Sequence, residues 1–355
     1  MARPPKGDGM PPERDQLKSR VGNHLAKRKP MSPVLPPTTH DRRNFQRSLL
    51  SWYDLYRRDL PWRVSRDPYR VWLSEIMLQQ TRVTAVIAHY HEFLRRFPAV
   101  EKLAAAREAS VLAAWSGLGY YRRARMLHAA AKAVVRDHAG KFPSATGALL
   151  ALPGIGRYTS AAIASIAFDQ PVAVVDGNVE RVLQRMSGRR LGGEELWTAA
   201  NDLLDAKRPG DFNQAMMELG ATVCTPRAPS CLTCPVIALC ATRGELTATS
   251  KPVPQKKREI NYALNCRNGE VLLVQRARDA SLMPGMWELP EGGISSASQP
   301  QMTLRHSITV TDYTVRVWCS VAPLPVVGKW IPVGRLKQVA LTGLVRKILL
   351  AADII

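Results

Sequence analysis

The chain has 355 residues, 46% of them hydrophobic, which is enough to bury a substantial core and predicts two domains. Its 50 Lys and Arg against 29 Asp and Glu give a net charge of +21, spread over the whole chain. This excess favours a polyanionic partner such as nucleic acid; a basic surface without such a partner is the alternative. No stretch resembles a secretory leader or a membrane span, so we predict a cytoplasmic protein that does not bind membranes.

The first part of the chain changes character near residue 40. Residues 1–40 are rich in Pro, Lys and Arg and have no apolar periodicity, which predicts a disordered basic arm. Helical patterns begin near Phe45 and continue to residue 240, so residues 41–240 are predicted to be an all-α domain. One long helix is expected to start near Tyr69, after the irregular segment around Pro61 and Pro68.

Glu75 lies inside that expected helix and is enclosed by apolar residues such as Trp72 and Ile76. A carboxyl group in such surroundings loses solvation, which raises its pKa and makes it a candidate proton donor near neutral pH. The alternative is a glutamate on a narrow exposed strip of a mostly buried helix.

The segment SGLGYYRRAR combines turn-forming glycines with rings and cations. Arg122, Arg123 and Arg125 are candidates for phosphate contacts, and Tyr120 and Tyr121 are candidates for stacking on bases or wedging between them. The alternative is that the tyrosines belong to the core.

The segment LPGIGRYT predicts a helical hairpin whose second helix starts at Arg157. The free amide groups of that helix, beside Gly154 and Gly156, indicate a phosphate site, and tight helix packing is the alternative. An extended run then leads to Asp176, before a helix expected to start near Asn178. This carboxylate is predicted either to cap the helix or to face a cleft.

Four cysteines form the most specific local pattern of the chain. Cys224, Cys231, Cys234 and Cys240 have the spacing C-x6-C-x2-C-x5-C, which predicts a metal site in one short loop. Because only one C-x-x-C pair occurs, the spacing favours an iron-sulfur cluster over zinc.

The pattern changes again after a polar linker predicted at residues 241–258. Residues 259–355 show strand-like alternation around a hairpin signal at Asn268 and Gly269, a second β-rich stretch and a last helix near Leu341. We therefore predict a second, α+β domain there.

Several of these segments together resemble one family. LPWR, SEIMLQQTRV, GLGYYRRAR, LPGIGRYT, VVDGNV, FNQAMMELG and the cysteine loop are similar to the MutY-type adenine DNA glycosylases of the helix-hairpin-helix superfamily, over about residues 45–240. The resemblance implies a helical glycosylase core with a [4Fe-4S] cluster on the four cysteines. It also implies a monomer that binds double-stranded DNA and removes adenine mispaired with 8-oxoguanine or guanine.

The resemblance also implies roles for individual residues. Glu75 would protonate the adenine, Asp176 would stabilise or bond to the sugar cation, and Asn178 would orient water or Asp176. The adenine pocket would be lined by Trp62, Arg63 and Gln214. Contacts to DNA would come from Gln80, Thr81, Leu118, Tyr120, Gly154, Gly156, Arg227 and Thr309.

Tyr158 occupies the position at which the related endonuclease III type carries a nucleophilic lysine. Since tyrosine has no amine to form a Schiff base, the resemblance implies a catalytic centre with glycosylase activity alone. An endonuclease III-type glycosylase with lyase activity and a non-catalytic helix-hairpin-helix DNA-binding module are the two alternatives.

The C-terminal segment resembles the Nudix-like lesion-recognition domain of the same family, through NGEVLLVQRA and GMWELPEGG. It lacks the Glu-rich metal-binding helix of Nudix hydrolases, so we do not expect pyrophosphate hydrolysis. Ile308, Thr309 and Val310 replace the usual Phe-Ser-His triplet. This departure predicts a weaker preference for 8-oxoguanine over guanine opposite adenine.

Overall fold

A computed structural model describes residues 38–246, 254–292, 299–308, 310–319 and 327–355. The chain forms a helical region, residues 39–222, followed by a region that contains all the described strands, residues 256–351, which we call the sheet region. No helix of the described residues is long and apolar enough to span a membrane.

The helical region is all-α, as the sequence periodicity predicts. Its helices are α1 Thr39–Tyr56, α2 Pro68–Leu78, α3 Val83–Arg96, α4 Val100–Ala104, α5 Glu108–Trp115, α6 Arg122–His138, α7 Thr146–Leu150, α8 Arg157–Phe168, α9 Gly177–Ser187, α10 Gly193–Leu203 and α11 Pro209–Thr222. Two buried apolar clusters hold these helices together. One lies mainly between helices α2, α3, α4, α5 and α6. The other packs α1 against α8, α9, α10 and α11.

Two predicted boundaries in the helical region are wrong. α1 begins at Thr39, inside the predicted basic arm, because Thr38 caps it by accepting a hydrogen bond from the backbone of Asp41. The expected long helix is broken into α2 and α3 at residues 79–82, where Gln80 has a left-handed φ of 55°. The carbonyls left free at the end of α2 are satisfied from outside, by the guanidinium of Arg123.

The predicted helical hairpin is present between α7 and α8. Gly154 has φ +73°, and a Cβ on it would lie 2.5 Å from the Cβ of Met126. Glycine is therefore required there both by the backbone and by close packing. Gly156 is the extended N-cap residue of α8, and a Cβ on it would contact nothing.

The sheet region has the predicted α+β character. Its strands are β1 Lys256–Leu264, β2 Cys266–Arg267, β3 Glu270–Gln275, β4 Trp287–Glu288, β5 Met302–Ile308, β6 Thr311–Cys319 and β7 Lys329–Pro332, and they are followed by helix α12 Gly343–Ala351. One sheet has the order β1-β6-β5, with β1 parallel to β6. In the other, β3 pairs with β2, β4 and β7. A third apolar cluster lies between these strands and α12.

Local signals in the sheet region are placed as predicted, apart from the domain boundary. Asn268 and Gly269 both have positive φ and join β2 to β3 as a tight hairpin. β1 already begins at Lys256, inside the predicted linker. At the other end of that linker, the backbone of Ala241 and Thr242 is hydrogen-bonded to α9.

The two regions pack directly against each other. Met286 and Ala340 of the sheet region are buried in the first cluster of the helical region. Across the same contact, Arg125 donates a hydrogen bond to the carbonyl of Pro284. The sheet region is therefore part of the wall of any cleft that opens at this face.

Candidate active site

A cavity of about 1650 Å³ lies where the two regions meet. The helical region contributes all the residues predicted to be catalytic and all those predicted to line an adenine pocket. The sheet region contributes residues 280–284 and 306–308, together with Gly343 and Leu344. The structure thus brings together residues that are separated by more than half of the chain.

Glu75 lies on the buried side of α2, with only 6% of its surface exposed, so the alternative of an exposed strip is wrong. The pKa of Glu75 is raised to about 7, mainly by burial. The hydrogen bond from Tyr158 acts to lower the pKa, and the charge of Asp176 acts to raise it. A carboxyl group with this pKa carries a transferable proton in a large fraction of molecules at neutral pH.

Tyr158, in the first turn of α8, holds Glu75 in place. Its hydroxyl lies 2.5 Å from Oε2 of Glu75 and 3.3 Å from the sulfur of Met217. Burial, together with the nearby charges of Glu75 and Asp176, raises the pKa of Tyr158 well above its ordinary value. Tyr158 therefore stays protonated and acts as a hydrogen-bond donor to Glu75.

Asp176 does both things that the sequence left open: it caps a helix and it lines the cavity. Its Oδ1 accepts hydrogen bonds from the backbone N–H groups of Asn178 and Val179, and its Oδ2 accepts one from the side-chain amide of Asn178. These N–H donors and the N-terminal end of the α9 dipole stabilise a negative charge on the carboxylate.

Arg181, one turn into α9, connects this carboxylate to the cysteine loop. It donates hydrogen bonds to Oδ1 of Asn178 and to the carbonyls of Gly220 and Cys224. Asn178 is thereby fixed with its amide N–H directed at Asp176. Sequence reasoning missed Arg181, although its position one helical turn after Asn178 was a usable signal.

The predicted adenine-pocket residues Trp62, Arg63 and Gln214 form one wall of the cavity. Arg63 is held by a buried ion pair with Glu218, at 2.8 Å, and Arg58 makes a second, two-pronged pair with the same carboxylate. Burial alone would raise the pKa of Glu218, but the hydrogen bonds from Arg58 and Arg63 lower it to about 2. Sequence reasoning missed both Arg58 and Glu218.

The residues predicted to fill an opened duplex lie on two neighbouring loops at the cavity. Gln80 is exposed, and Tyr120 is 48% exposed with a left-handed φ of 49°; Thr81 and Leu118 are their neighbours. Tyr121, by contrast, is buried. One prediction is therefore split between its two alternatives: Tyr120 faces outward, and Tyr121 belongs to the core.

Arg123 is not available for phosphate, contrary to the prediction. Its guanidinium is partly buried and donates hydrogen bonds to carbonyls on both loops, including those of Gln79, Leu118 and Gly119. Arg125 is likewise engaged, by Glu108 and Pro284. Of the three arginines in this segment, only Arg122 is exposed at the cavity.

The remaining residues predicted to contact DNA lie partly in the cavity and partly outside it. Gly154 lines the cavity, whereas Gly156 and Arg227 are exposed outside it. Thr309 lies outside the described residues. Its neighbour Ile308, at the end of β5, does line the cavity.

The four cysteines are neighbours in the loop that follows α11. The pKa of the Cys234 thiol is raised to about 11, mainly by burial and in smaller part by the nearby thiols of Cys224, Cys231 and Cys240. The guanidinium of Arg185 lies 3.3 Å from the sulfur of Cys224. Within the described ranges, no three His, Cys, Asp or Glu side chains come close enough together to hold one metal ion.

Comparisons with known proteins agree with this geometry. Residues 73–194 match the model of the HhH-GPD superfamily of base excision DNA repair proteins. The chain is 40% identical to the adenine DNA glycosylase of Mus musculus, over 80% of this chain and 65% of that protein. It is 50% identical to the adenine DNA glycosylase of Homo sapiens, over 56% of this chain and 39% of that protein.

A solved structure gives the same result for the fold. A thermostable thymine-DNA glycosylase is 32% identical and superposes with a TM-score of 0.56, over 59% of this chain and 99% of that one. The chain spans less than two thirds of the length of either curated relative. Residues 73–194 thus carry the HhH-GPD domain of base excision DNA repair proteins, and in fold, site and sequence the chain is similar to the MutY-type adenine DNA glycosylases.

Proposed function

We propose that the protein is a monofunctional DNA glycosylase that acts as a monomer on double-stranded DNA and removes adenine mispaired with 8-oxoguanine or guanine. The observation that carries this proposal is the pair of carboxyl groups on one cavity. Glu75 is neutral in many molecules at pH 7, and Asp176 is held by N–H donors at a helix N-terminus. Such a pair, one neutral acid and one carboxylate, catalyses the cleavage of glycosidic bonds in most glycoside hydrolases.

Glu75 supplies the proton to the leaving base. Its Oε2 accepts the hydrogen bond from Tyr158, which leaves Oε1 to carry the proton that passes to adenine. As the bond from the sugar to the base breaks, the electron pair leaves with the base, and positive charge develops on the sugar.

Asp176 stabilises that positive charge with its carboxylate, and water then adds to the sugar carbon. The proton released by the water restores the protonated Glu75. Asn178 and Arg181 keep the carboxylate of Asp176 at one position throughout.

The base reaches these groups only outside the helical stack. Gln80 and Tyr120, on the two loops at the cavity mouth, fill the space that it leaves. The wall made by Trp62, Arg63 and Gln214 then receives the base. The net charge of +21 favours binding of the phosphate backbone and predicts affinity that falls with added salt.

The lack of a nucleophilic amine supports a monofunctional enzyme. Tyr158 replaces the lysine, and no lysine lines the described part of the cavity. We expect borohydride to trap little covalent complex with the unmodified protein. Tyr158→Lys should increase both trapping and strand cleavage.

The cysteine loop is proposed to hold a [4Fe-4S] cluster through Cys224, Cys231, Cys234 and Cys240. Support comes from the spacing of the four cysteines in one loop and from the proximity of the other three thiols to Cys234, since each thiolate of such a cluster binds a different iron. The cluster would fix the loop to which Arg181 and Arg185 are bonded. Protein purified without air should be brown and contain about four irons per chain, whereas stoichiometric zinc would reject this assignment.

The sheet region is proposed to be Nudix-like and to read the base opposite adenine. Support comes from residues 280–284 and 306–308, which line the same cavity as Glu75 and Asp176. In the proposed complex, the sheet region contacts the second strand of the duplex.

The function is tested with duplexes that carry adenine opposite 8-oxoguanine, guanine or thymine. After incubation with the protein, alkali converts abasic sites into strand breaks. We expect breaks for the first two duplexes and few for the third. Strand cleavage without alkali would favour the endonuclease III type, and DNA binding without base release would favour a non-catalytic module.

A further inference from the structure

The turn that carries Tyr120 is clamped on both sides. We call residues 116–121 the wedge turn. Gly117, Gly119 and Tyr120 all have positive φ. The left-handed conformation of Tyr120 is strained, so surrounding contacts have to hold it in place. On one side, Arg123 binds the carbonyls of Leu118 and Gly119.

On its other side, the wedge turn is bonded to the sheet region. The hydroxyls of Ser116 and Tyr121 both donate to the carbonyl of Leu341, each at 3.0 Å. Both donors are 4% exposed and Leu341 is 1% exposed, so water does not compete for these bonds. A carbonyl has two lone pairs, and both are used here by the wedge turn.

Leu341 is itself fixed within the sheet region. The residue before it accepts a hydrogen bond from the backbone N–H of Trp287, and the N–H of Thr342 donates to the carbonyl of Trp287. Trp287 lies in β4, which pairs with β3. A displacement of the sheet region at the cavity would therefore move Leu341 and, through the two hydroxyls, the wedge turn.

We propose that Ser116 and Tyr121 are positioning residues that couple the sheet region to Tyr120, so that the identity of the base opposite adenine controls how the wedge enters the duplex. This inference rests on the proposed function. Both partners line one cavity: Tyr120 on the helical side, and residues 280–284 and 306–308 on the sheet side.

The shared acceptor makes the two hydroxyls partly redundant. With one hydroxyl removed, the other still satisfies the carbonyl of Leu341. With both removed, a buried carbonyl is left without a donor, which is far more costly than losing one of two hydrogen bonds. The coupling should therefore be strongly non-additive between the two sites.

The experiment compares Ser116→Ala, Tyr121→Phe and the double variant of the full chain. The first readout is the ratio of single-turnover rates for adenine opposite 8-oxoguanine and opposite guanine. The second is the ratio, between the same two mispairs, of the fluorescence increase of 2-aminopurine placed next to the mispair, which reports unstacking by the wedge without needing base release. The matched control is Tyr69→Phe with Ser165→Ala. Those two hydroxyls also donate to buried carbonyls, of Phe97 and Ala161, but within the helical region.

We expect the double variant to lower the rate ratio about thirtyfold, which corresponds to about 2 kcal/mol and exceeds the product of two threefold effects, and to lower the fluorescence ratio as well. Each single variant should lower them threefold or less, and the control should lose thermal stability but keep both ratios. If the double variant does not fold, Tyr121→Phe alone should still lower the ratios by about threefold.

Ratios within twofold of the unmodified protein in the double variant would overturn the coupling and leave the proposed function intact. A general fall in rate with unchanged ratios would overturn it as well, because it would show a merely structural role. Absence of adenine release by the unmodified protein would contradict the proposed function alone. The fluorescence ratio would still decide the coupling.

Discussion

Glu75 on α2 and Glu218 on α11 face the same cavity, and each is surrounded in the sequence by apolar residues. Both are buried, yet the pKa of Glu75 is raised to about 7 and that of Glu218 is lowered to about 2. The difference lies in the partners. Glu75 receives a hydrogen bond from a neutral tyrosine, whereas Glu218 forms ion pairs with two arginines. Enclosure by apolar residues thus predicts burial, and the partner decides the charge.

Arg63 connects the two glutamates. It pairs with Glu218, and its charge also lowers the pKa of Glu75. Glu218 therefore compensates a positive charge that would otherwise favour ionisation of the proposed acid. The two carboxyl groups have to be tested together.

The largest expected effect is on adenine release and distinguishes Glu75 from Glu218. Glu75→Gln keeps the size and hydrogen bonding of the side chain but removes the transferable proton, so adenine release should fall about 10³-fold while mispair binding persists. Single-turnover rates and dissociation constants measure the two parts. Near-normal release by this variant would end the assignment of Glu75 as the acid.

The second effect concerns stability and has opposite signs at the two sites. In the folded protein the pKa of Glu75 lies above its ordinary value of 4.5. Its contribution to the free energy of unfolding is therefore fully present below pH 4.5 and is lost as the pH rises through about 7. Glu218 has a folded pKa below 4.5, so its contribution is present above pH 4.5 and is lost as the pH falls towards 2. Each shift corresponds to about 3 kcal/mol.

Denaturant unfolding at several pH values tests this pair. At pH 8, Glu75→Gln should be more stable than the unmodified protein by up to about 3 kcal/mol, and Glu218→Gln less stable by about 3 kcal/mol. Both differences should shrink in acid. Parallel pH dependence of the two variants would contradict the assigned charge states.

The third effect is a shift in the pH profile of adenine release. Since protonated Glu75 is required, release should decline above about pH 7. Glu218→Gln leaves Arg63 uncompensated and should move this decline down by about one pH unit. Tyr158→Phe removes the hydrogen bond that lowers the pKa of Glu75 and should move it up.

Glu288→Gln is the control for that experiment. Glu288 is paired with Arg276 in the sheet region and does not line the cavity, so its loss should leave the profile unchanged. An unchanged profile in Glu218→Gln as well would show that Arg63 does not act on Glu75.

The smallest effect concerns residues 308–310 of the sheet region, of which Ile308 lines the cavity. By the resemblance stated above, Ile308 and Val310 stand where the family carries an aromatic and an imidazole side chain, and Thr309 between them lies outside the described residues. Restoring Phe, Ser and His at residues 308, 309 and 310 should raise the preference for 8-oxoguanine about 2- to 12-fold. The measurement is the ratio of dissociation constants for the two duplexes, in a Glu75→Gln background. An unchanged ratio would mean that this loop does not read the lesion.

Local features of the chain were determined by the sequence alone. Helix periodicity predicted the all-α character of the helical region, the Asn268-Gly269 turn was predicted from two residues, and the burial of Glu75 followed from its neighbours. The density of short motifs was sufficient to indicate the family. All of these depend on residues within one or two turns of each other, so sequence order carries them.

Tertiary structure decided what depends on distant partners. The low pKa of Glu218 requires Arg58 and Arg63, about 160 residues away in the sequence. Arg123 points inward because it donates hydrogen bonds to the free carbonyls at the end of α2. The wedge turn is hydrogen-bonded to Leu341, which lies more than 200 residues later. A charge state or a hydrogen bond depends on which atoms are within a few ångströms. For residues far apart in the sequence, these distances are set by the tertiary fold, and local sequence patterns do not determine them.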